Sequence, residues 1–124
     1  MDMREQILGC EDLPLEKVNI KQWKMDVYVR GLSAAERDQF ETEMFDVVGK
    51  DVKMNRKNLR ARLVVLTVCD EKGNRIFKDE DLAALGKKSG AALDKLFTLA
   101  QKLSGIGAAD VEEMVSNLEK GQPV

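Results

Sequence analysis

The chain has 124 residues, of which 44 % are apolar and 34 % are charged, and its formal net charge is −2. This length and composition are typical of one folded domain and argue against a disordered chain. The small net charge excludes a strong general attraction to nucleic acid or anionic lipid. No apolar run approaches the roughly 20 residues that a membrane-spanning helix needs. Residues 1–14 lack the basic start and long apolar stretch of a secretory signal.

The absence of histidine removes several kinds of chemistry. It leaves no Ser-His or Cys-His nucleophile pair and no imidazole metal ligand. Cys10 and Cys69 are too few for a disulfide scaffold or a structural zinc site, so a reducing compartment is the simpler interpretation. Neighbouring carboxylates occur at helix starts or on polar faces, where capping and solubility explain them better than acid–base catalysis. We therefore expect no enzymatic activity and no cofactor.

The N-terminal quarter predicts a short helix followed by a β-hairpin. The helix covers about residues 3–10 and ends near Gly9, and Pro14 then interrupts the chain. From residue 16 onward apolar and polar residues alternate, which is typical of strands. The alternating apolar residues are Val18, Ile20, Trp23, Met25, Val27 and Val29. We expect the turn near residues 21–22, and helices should cover the apolar face because an isolated hairpin is marginally stable.

A helix start signal follows the hairpin. Ser33 is a suitable N-cap, and Glu36 stands three residues later, which completes a capping box. The predicted helix covers about residues 34–48, with Gly49 as its stop, and residues 50–55 are expected to form a loop.

The rest of the chain is mainly helical in pattern. A helix to about Leu66 should be followed by a short extended piece, and a turn at residues 70–74 should join Val68 to residues 76–77 in a very short hairpin. Asp79 is the expected N-cap of the next helix, which stops at Gly86. The clearest amphipathic stripe belongs to a helix over 89–103, and its residues are Leu93, Leu96, Phe97, Ala100 and Leu103. A last helix is predicted over 108–119.

These elements predict an α+β fold, in which an N-terminal β-hairpin packs against a mainly α-helical domain of about four to five helices. We expect one domain over residues 1–124, with its core between about residues 3 and 118. The tail at 119–124 is expected to be flexible.

Two fragments match ligand-binding motifs only in part. GKKS at 86–89 has Asp81 in the place of the first glycine of a phosphate loop and Lys88 where serine or threonine is needed. DEKGNR at 70–75 would require Lys72 to ligate calcium and has Arg75 at the sixth position instead of glycine. We interpret the first fragment as a joint between helices and the second as a plain turn.

The densest basic run leaves a second interpretation of function open. Its members are Lys50, Lys53, Arg56, Lys57, Arg60 and Arg62. A solvated helix face explains them, but a small regulatory nucleic-acid-binding protein using Lys50–Arg62 is the alternative. Against it, no aromatic residues interleave to stack on bases, and the isoelectric point of about 5.3 is acidic.

The amphipathic helices and the Trp-bearing hairpin offer more apolar surface than a domain of this size should bury. We therefore expect part of it to bind a protein partner, and methionine-rich surface suits such adaptable binding. The candidates lie at the off-stripe edge of the helix after Ser33 and on the last helix: Met44, Phe45, Val111, Met114, Val115 and Leu118.

Three stretches of the chain carry a family resemblance. They are EDLPLEKVNIKQWKMDVYVRGLSAAERDQFE, NLRARLVVLTVCDEKGNRIFKDEDLAALGKKSGAALDKLF and LSGIGAADVEEM. The most specific elements are the W-x-x-x-V-x-V-R-G-L-S-A-x-E-R run, the V-C-D-E-x-G-N-R-I-F turn and the L-G-K-K-S-x-A-A-L-D-K-L-F helix. In order and spacing, about residues 3–118 resemble the tail assembly chaperones of long-tailed double-stranded DNA bacteriophages and related prophages.

This resemblance implies a non-enzymatic role in tail morphogenesis, in the host cytoplasm and outside the mature virion. Such chaperones coat the long helical tape measure protein, keep it soluble and recruit tail tube subunits. Many are also made as a longer product by ribosomal frameshifting. The implied partners are therefore the tape measure protein, the tail tube protein, a frameshifted longer form of the chain and further copies of it, with no nucleic acid and no membrane. The family supplies no active-site residues to transfer.

Overall fold

The structure, a computed structural model, describes residues 2–54 and 57–106. The helix predicted over 108–119 and the tail at 119–124 lie outside these residues. The elements in chain order are α1 Met3–Leu8, β1 Leu15–Ile20, β2 Met25–Arg30, α2 Ala34–Glu43, β3 Phe45–Val48, β4 Asp51–Met54, α3 Leu59–Thr67, β5 Val68–Cys69, α4 Leu82–Leu85 and α5 Gly90–Leu103. The fold is α+β, as predicted, with the N-terminal hairpin packed against helices.

The predicted hairpin forms in the expected place. β1 and β2 pair antiparallel from Leu15↔Arg30 to Ile20↔Met25. A 3-10 turn over Lys21–Trp23 connects them and ends at Lys24, whose φ of 54° lies in the left-handed region. The inner face of the hairpin is buried because its apolar residues alternate with polar ones, so the period of two sets which side chains enter the core.

The sheet has a third strand that pairs differently from the prediction. β5 lies antiparallel to β2, with Val29↔Val68 and Tyr28↔Cys69 in register, so the strand order is β1-β2-β5. Only a Cys69↔Arg75 bridge remains of the predicted hairpin between Val68 and residues 76–77. Pairing with β2 is favoured because it places the side chain of Val68 in the core, where it is fully buried.

The helix after Ser33 starts as predicted but ends five residues early. The capping box is present, and α2 runs only to Glu43, with Met44 as its C-cap. Residues 45–48 and 51–54 instead form a second antiparallel hairpin, β3 and β4, whose turn at residues 49–50 uses Gly49 at a φ of 64°. Phe45 and Val47 stand two residues apart on β3, and Val47 pairs with Val52 on β4, so cross-strand pairing replaces helix continuation and the predicted loop.

The core lies between α3, α5 and the sheet. α3 is buried on nearly all sides from Leu63 to Thr67, and the extended piece begins at Val68, two residues after the predicted helix end. The predicted stripe of α5 is confirmed: Leu93, Leu96 and Ala100 are buried. Phe97 and Leu103 pack half-buried against the same cluster.

The end of α5 is closed by its backbone. The N–H of Gly105, at a φ of 70°, donates to the Lys102 carbonyl at 3.3 Å, and the N–H of Ile106 donates to the Gln101 carbonyl at 2.9 Å. This pair of bonds is a Schellman motif, which a glycine in the left-handed region permits. Ile106 follows it into the core at 5 % exposure.

The segment from residue 70 to residue 89 contains turns, as the sequence indicates. The Asp70 carboxylate accepts from the N–H of Lys72 at 2.9 Å and of Asn74 at 3.0 Å, so DEKGNR is a plain turn. GKKS is a joint in which α4 ends at Gly86 and Ser89 caps α5. The expected cap before α4 is wrong, because a 3-10 turn over Asp79–Asp81 precedes that helix and the Asp79 carboxylate accepts from Arg75 instead.

Candidate partner-binding surface

The predicted edge at Met44 and Phe45 is largely inside the fold. Met44 is 1 % exposed and its side chain belongs to the core. Phe45 is half-buried and packs against the same core. Once the helix ends at Glu43, these two residues no longer project from a helix surface, so in this fold they contribute mainly to packing. The other four candidates, Val111, Met114, Val115 and Leu118, lie outside the described residues, and the structure does not place them.

The exposed apolar surface of the described residues concentrates before and within β1. We call residues 2–14 the N-terminal arm. Its apolar side chains are strongly exposed: Met3 at 74 %, Ile7 at 64 %, Leu8 at 70 % and Leu13 at 38 %. Leu15, the first residue of β1, is also exposed, at 43 %. Exposed apolar residues that lie together mark interaction surfaces more often than isolated ones do, and five of those exposed here fall within residues 3–15.

Helix α1 of the arm buries none of its residues. Asp2 caps it by accepting from the Glu5 N–H at 2.8 Å, but six residues form too short a helix to be stable on their own. The sequence predicts this helix but does not show its exposure. Met3 and Ile7 share one helix face, and the same pattern would suit a helix packed on the core.

A cleft of about 360 Å³ separates the arm from the turn after β5. The arm contributes Cys10–Leu13, the turn contributes Lys72 and Gly73, and Arg30 at the end of β2 lies between them. Arg30 is only 8 % exposed, which is unusual for a charged residue and requires a partner.

That partner is Glu36 in the first turn of α2. The Arg30 guanidinium donates from Nη1 to Oε1 at 2.6 Å and from Nη2 to Oε2 at 2.7 Å, a two-pronged ion pair. Glu36 also completes the capping box, since its Oε1 accepts from the Ser33 N–H at 3.0 Å and its own N–H donates to Ser33 Oγ at 3.2 Å. The pair thus joins the sheet to the start of α2.

The network shifts the pKa values of both charged groups. Burial acts to raise the pKa of Glu36, but the hydrogen bonds from Arg30 and Ser33 outweigh it and hold that pKa below its ordinary value. The hydrogen bonds to Glu36 raise the pKa of Arg30 against the opposing effect of desolvation. Both groups are therefore charged at neutral pH. The arrangement stabilises the fold and leaves no group poised to exchange a proton near pH 7.

The residues between Arg30 and Ser33 fit closely against the end of α5. A Cβ on Gly31 would lie 2.6 Å from the Leu103 carbonyl oxygen, so this position requires glycine. The Leu32 N–H donates to Ser104 Oγ at 2.9 Å. The R-G-L-S run at residues 30–33 therefore has a structural role, because it holds the sheet, α2 and α5 in contact with one another.

The basic run does not form one helical face. Lys50 lies in the β3–β4 turn, Lys53 on β4, and Arg60 and Arg62 on α3, while residue 56 is outside the described part. Arg60 forms an ion pair with Asp94, and Arg62 Nη1 lies 3.7 Å from Glu43 Oε2. These carboxylates neutralise part of the charge that a phosphate backbone would contact, which weakens the nucleic-acid interpretation.

Two features that the described residues lack bear on the site. Between residues 2 and 106, apart from residues 55 and 56, no three His, Cys, Asp or Glu side chains cluster closely enough to hold a metal ion. In the same part of the chain, no helix combines the length and apolar character needed to cross a bilayer.

Comparison with known proteins identifies the family and the fold of the chain. A profile of the family described as phage tail assembly chaperone matches residues 13–117, and the chain belongs to that family. The solved structure of the bacteriophage HK97 tail assembly chaperone is similar, with a TM-score of 0.58 and 15 % sequence identity. That match covers 81 % of this chain and 95 % of the HK97 chain, and at this identity it shows the shared fold. No curated protein matches the chain significantly by sequence.

Proposed function

We propose that this tail assembly chaperone binds the tape measure protein during tail morphogenesis, keeps it soluble and recruits tail tube subunits to it. The observation that carries the proposal is the family match over residues 13–117. The structure supports it with an apolar surface suited to a protein partner: the arm exposes Met3, Ile7 and Leu8 on a helix none of whose residues is buried. Helical segments with such faces bind apolar stripes of partner helices.

The setting of this function is also proposed. The chaperone acts in the host cytoplasm, is absent from the mature virion, and acts without catalysis. Its further partners are additional copies of the chain and a longer form made by ribosomal frameshifting. The nucleotide sequence around the stop codon tests the last point, because a slippery run followed by an overlapping reading frame is required. Mass spectrometry of purified virions tests the exclusion from the particle.

The binding proposal is tested by co-expressing the chain with the tape measure protein and measuring the soluble fraction of the latter. We expect Val111→Asp with Leu118→Asp to reduce that fraction strongly while the chaperone remains folded. Ile7→Asp with Leu8→Asp tests the arm in the same way. Ile76→Asp is the matched control, because Ile76 is an exposed apolar residue, at 52 %, outside both segments.

The outcomes separate the possibilities clearly. If the 111/118 variant unfolds, the last helix belongs to the core and not to a binding surface. If co-expression of the wild-type chain does not raise the soluble fraction of the tape measure protein, the proposed partner is wrong. If it does and neither double variant reduces that fraction, the two proposed surfaces are wrong. Salt-dependent DNA binding that is lost on Arg60→Glu would instead support the nucleic-acid interpretation.

A further inference from the structure

β1 is an edge strand whose outer side is only partly covered. Within the described residues it pairs with β2 on one side and with no strand on the other. Two hydrogen bonds fix the direction of its backbone groups. The Pro14 carbonyl accepts from the Gly31 N–H on the β2 side, whereas the Asn19 carbonyl accepts from Lys95 Nζ, which comes from outside the hairpin, at 2.9 Å.

Because backbone groups alternate in direction along an antiparallel strand, Leu15 and Lys17 share the outward direction of Asn19. Lys95 covers only the Asn19 carbonyl. The N–H and C=O groups of Leu15 and Lys17 therefore offer hydrogen bonds to a further strand. Edge strands presented in this way are templates for an added strand.

A groove of about 450 Å³ lies directly beside this edge, between β1 and α5. Its apolar part is formed by Val18 and Leu99, both half-buried against the core. On the opposite face of the sheet, Leu15 is exposed next to the same edge. A strand added to β1 would place one set of alternate side chains in the groove and the other set beside Leu15.

The charges of the groove indicate which side chains an added strand should carry. Its charged residues are Glu16, Asp94, Lys95 and Lys102. Arg60 neutralises Asp94, so the two lysines outweigh Glu16. Lys95 and Lys102 are seven residues apart on α5, about 10 Å along the helix axis, so they lie near opposite ends of a three- to four-residue strand.

We propose that the β1 edge and this groove form a binding site for an extended segment of a partner protein, one with apolar and acidic side chains facing α5. The segment is added to the sheet as a fourth strand, and backbone hydrogen bonds to Leu15 and Lys17 hold it. Leu99 and Val18 contact its apolar side chain, and Lys95 and Lys102 attract its acidic ones. This site is separate from the apolar face of α1, and it does not depend on which tail protein supplies the segment.

The probe is the peptide acetyl-Glu-Thr-Val-Thr-Glu-Thr-amide, titrated to millimolar concentration into the full ¹⁵N-labelled chain. We expect the amide signals of Leu15 and Lys17 to shift and their hydrogen exchange to slow. A second peptide with lysine in place of both glutamates should bind at least fivefold more weakly. N-methylation removes the N–H groups of the peptide. Methylation of the alternate amides that face β1 should abolish binding, whereas methylation of the amides that face away from β1 should not.

Substitutions on the chain provide the matched test. Lys17→Pro removes an outward N–H without removing a bond to β2, so the hairpin should fold and the peptide should bind about tenfold more weakly. Lys17→Ala keeps that N–H and should bind as the wild type does. Lys102→Glu should reverse the preference between the two peptides, whereas Lys88→Glu, in the exposed α4–α5 joint, should not. If Lys17→Pro fails to fold, the N-methylated peptides still test the edge.

Three results would overturn the proposal. The first is equal binding of the peptide to Lys17→Pro and Lys17→Ala, or no binding at millimolar concentration. The second is protection of the Leu15 and Lys17 amides in the full chain that disappears when residues 108–124 are removed, because the chain would then occupy its own edge. The third is protection that depends on protein concentration, because a second copy would then be the occupant.

Discussion

The ion pair between Arg30 and Glu36 offers the sharpest test of how this fold is held together. Its side chains are 10 % and 16 % exposed, and two short hydrogen bonds join them. Glu36→Ala would leave the Arg30 guanidinium buried without its counter-charge and would remove half of the capping box. Glu36→Gln keeps an acceptor for the Ser33 N–H and removes only the charge, so it is the matched control.

The magnitude follows from these two losses. Removing one partner of a buried pair costs about 3–5 kcal/mol, and losing a capping interaction costs about 1 kcal/mol. The pair keeps some contact with solvent, so we take the low end and expect Glu36→Ala to lower the free energy of unfolding by about 4 kcal/mol. A domain of this size has about 5–15 kcal/mol in total. The melting temperature should therefore fall by about 15 °C.

The assay is a double-mutant cycle with Arg30→Met, using urea denaturation at neutral pH. Methionine replaces the arginine with an apolar side chain, so Arg30→Met with Glu36→Gln should be less destabilised than the sum of the single variants. We expect a coupling energy of at least about 2 kcal/mol. A coupling below about 0.5 kcal/mol would show that the pair behaves like an exposed one, and the reasoning would be refuted.

Three further predictions concern the stability of the fold. The pKa of Glu36 in the folded chain lies below its ordinary value of 4.5. The ion pair between Glu36 and Arg30 therefore stabilises the fold above pH 4.5, and this stability is lost as the pH falls through the folded pKa. Urea midpoints measured between pH 7 and pH 3 should decline less in Glu36→Gln than in the wild type. Gly31→Ala should destabilise by about 2 kcal/mol, because its Cβ would meet the Leu103 carbonyl; an unchanged melting temperature would contradict that close contact. Leu96→Ala should cost about 3 kcal/mol by leaving a cavity at a fully buried site, whereas a cost below 1 kcal/mol would place Leu96 outside the core.

Local signals in the sequence were sufficient where neighbouring residues alone decide the conformation. The capping box at Ser33 and Glu36 needs only four consecutive residues, and the stripe of α5 needs only a period of 3.6. The hairpin β1–β2 follows from alternation, and the turn at residues 70–74 follows from Asp70, Gly73 and the amides between them. In each case the favoured backbone bonds form within the segment itself, so no distant partner is required.

The tertiary structure decided the remaining features, because they depend on which distant surface is available. Residues 45–48 can continue a helix or form a strand, and the cross-strand partner at residues 51–54 selects the strand; Met44 then enters the core. Val68 pairs with β2 because that position buries it completely. The exposure of α1 is also a property of the packed fold, which leaves Met3, Ile7 and Leu8 mostly exposed. Periodicity shows which side chains are apolar, and only the packed fold shows which of them remain for a partner.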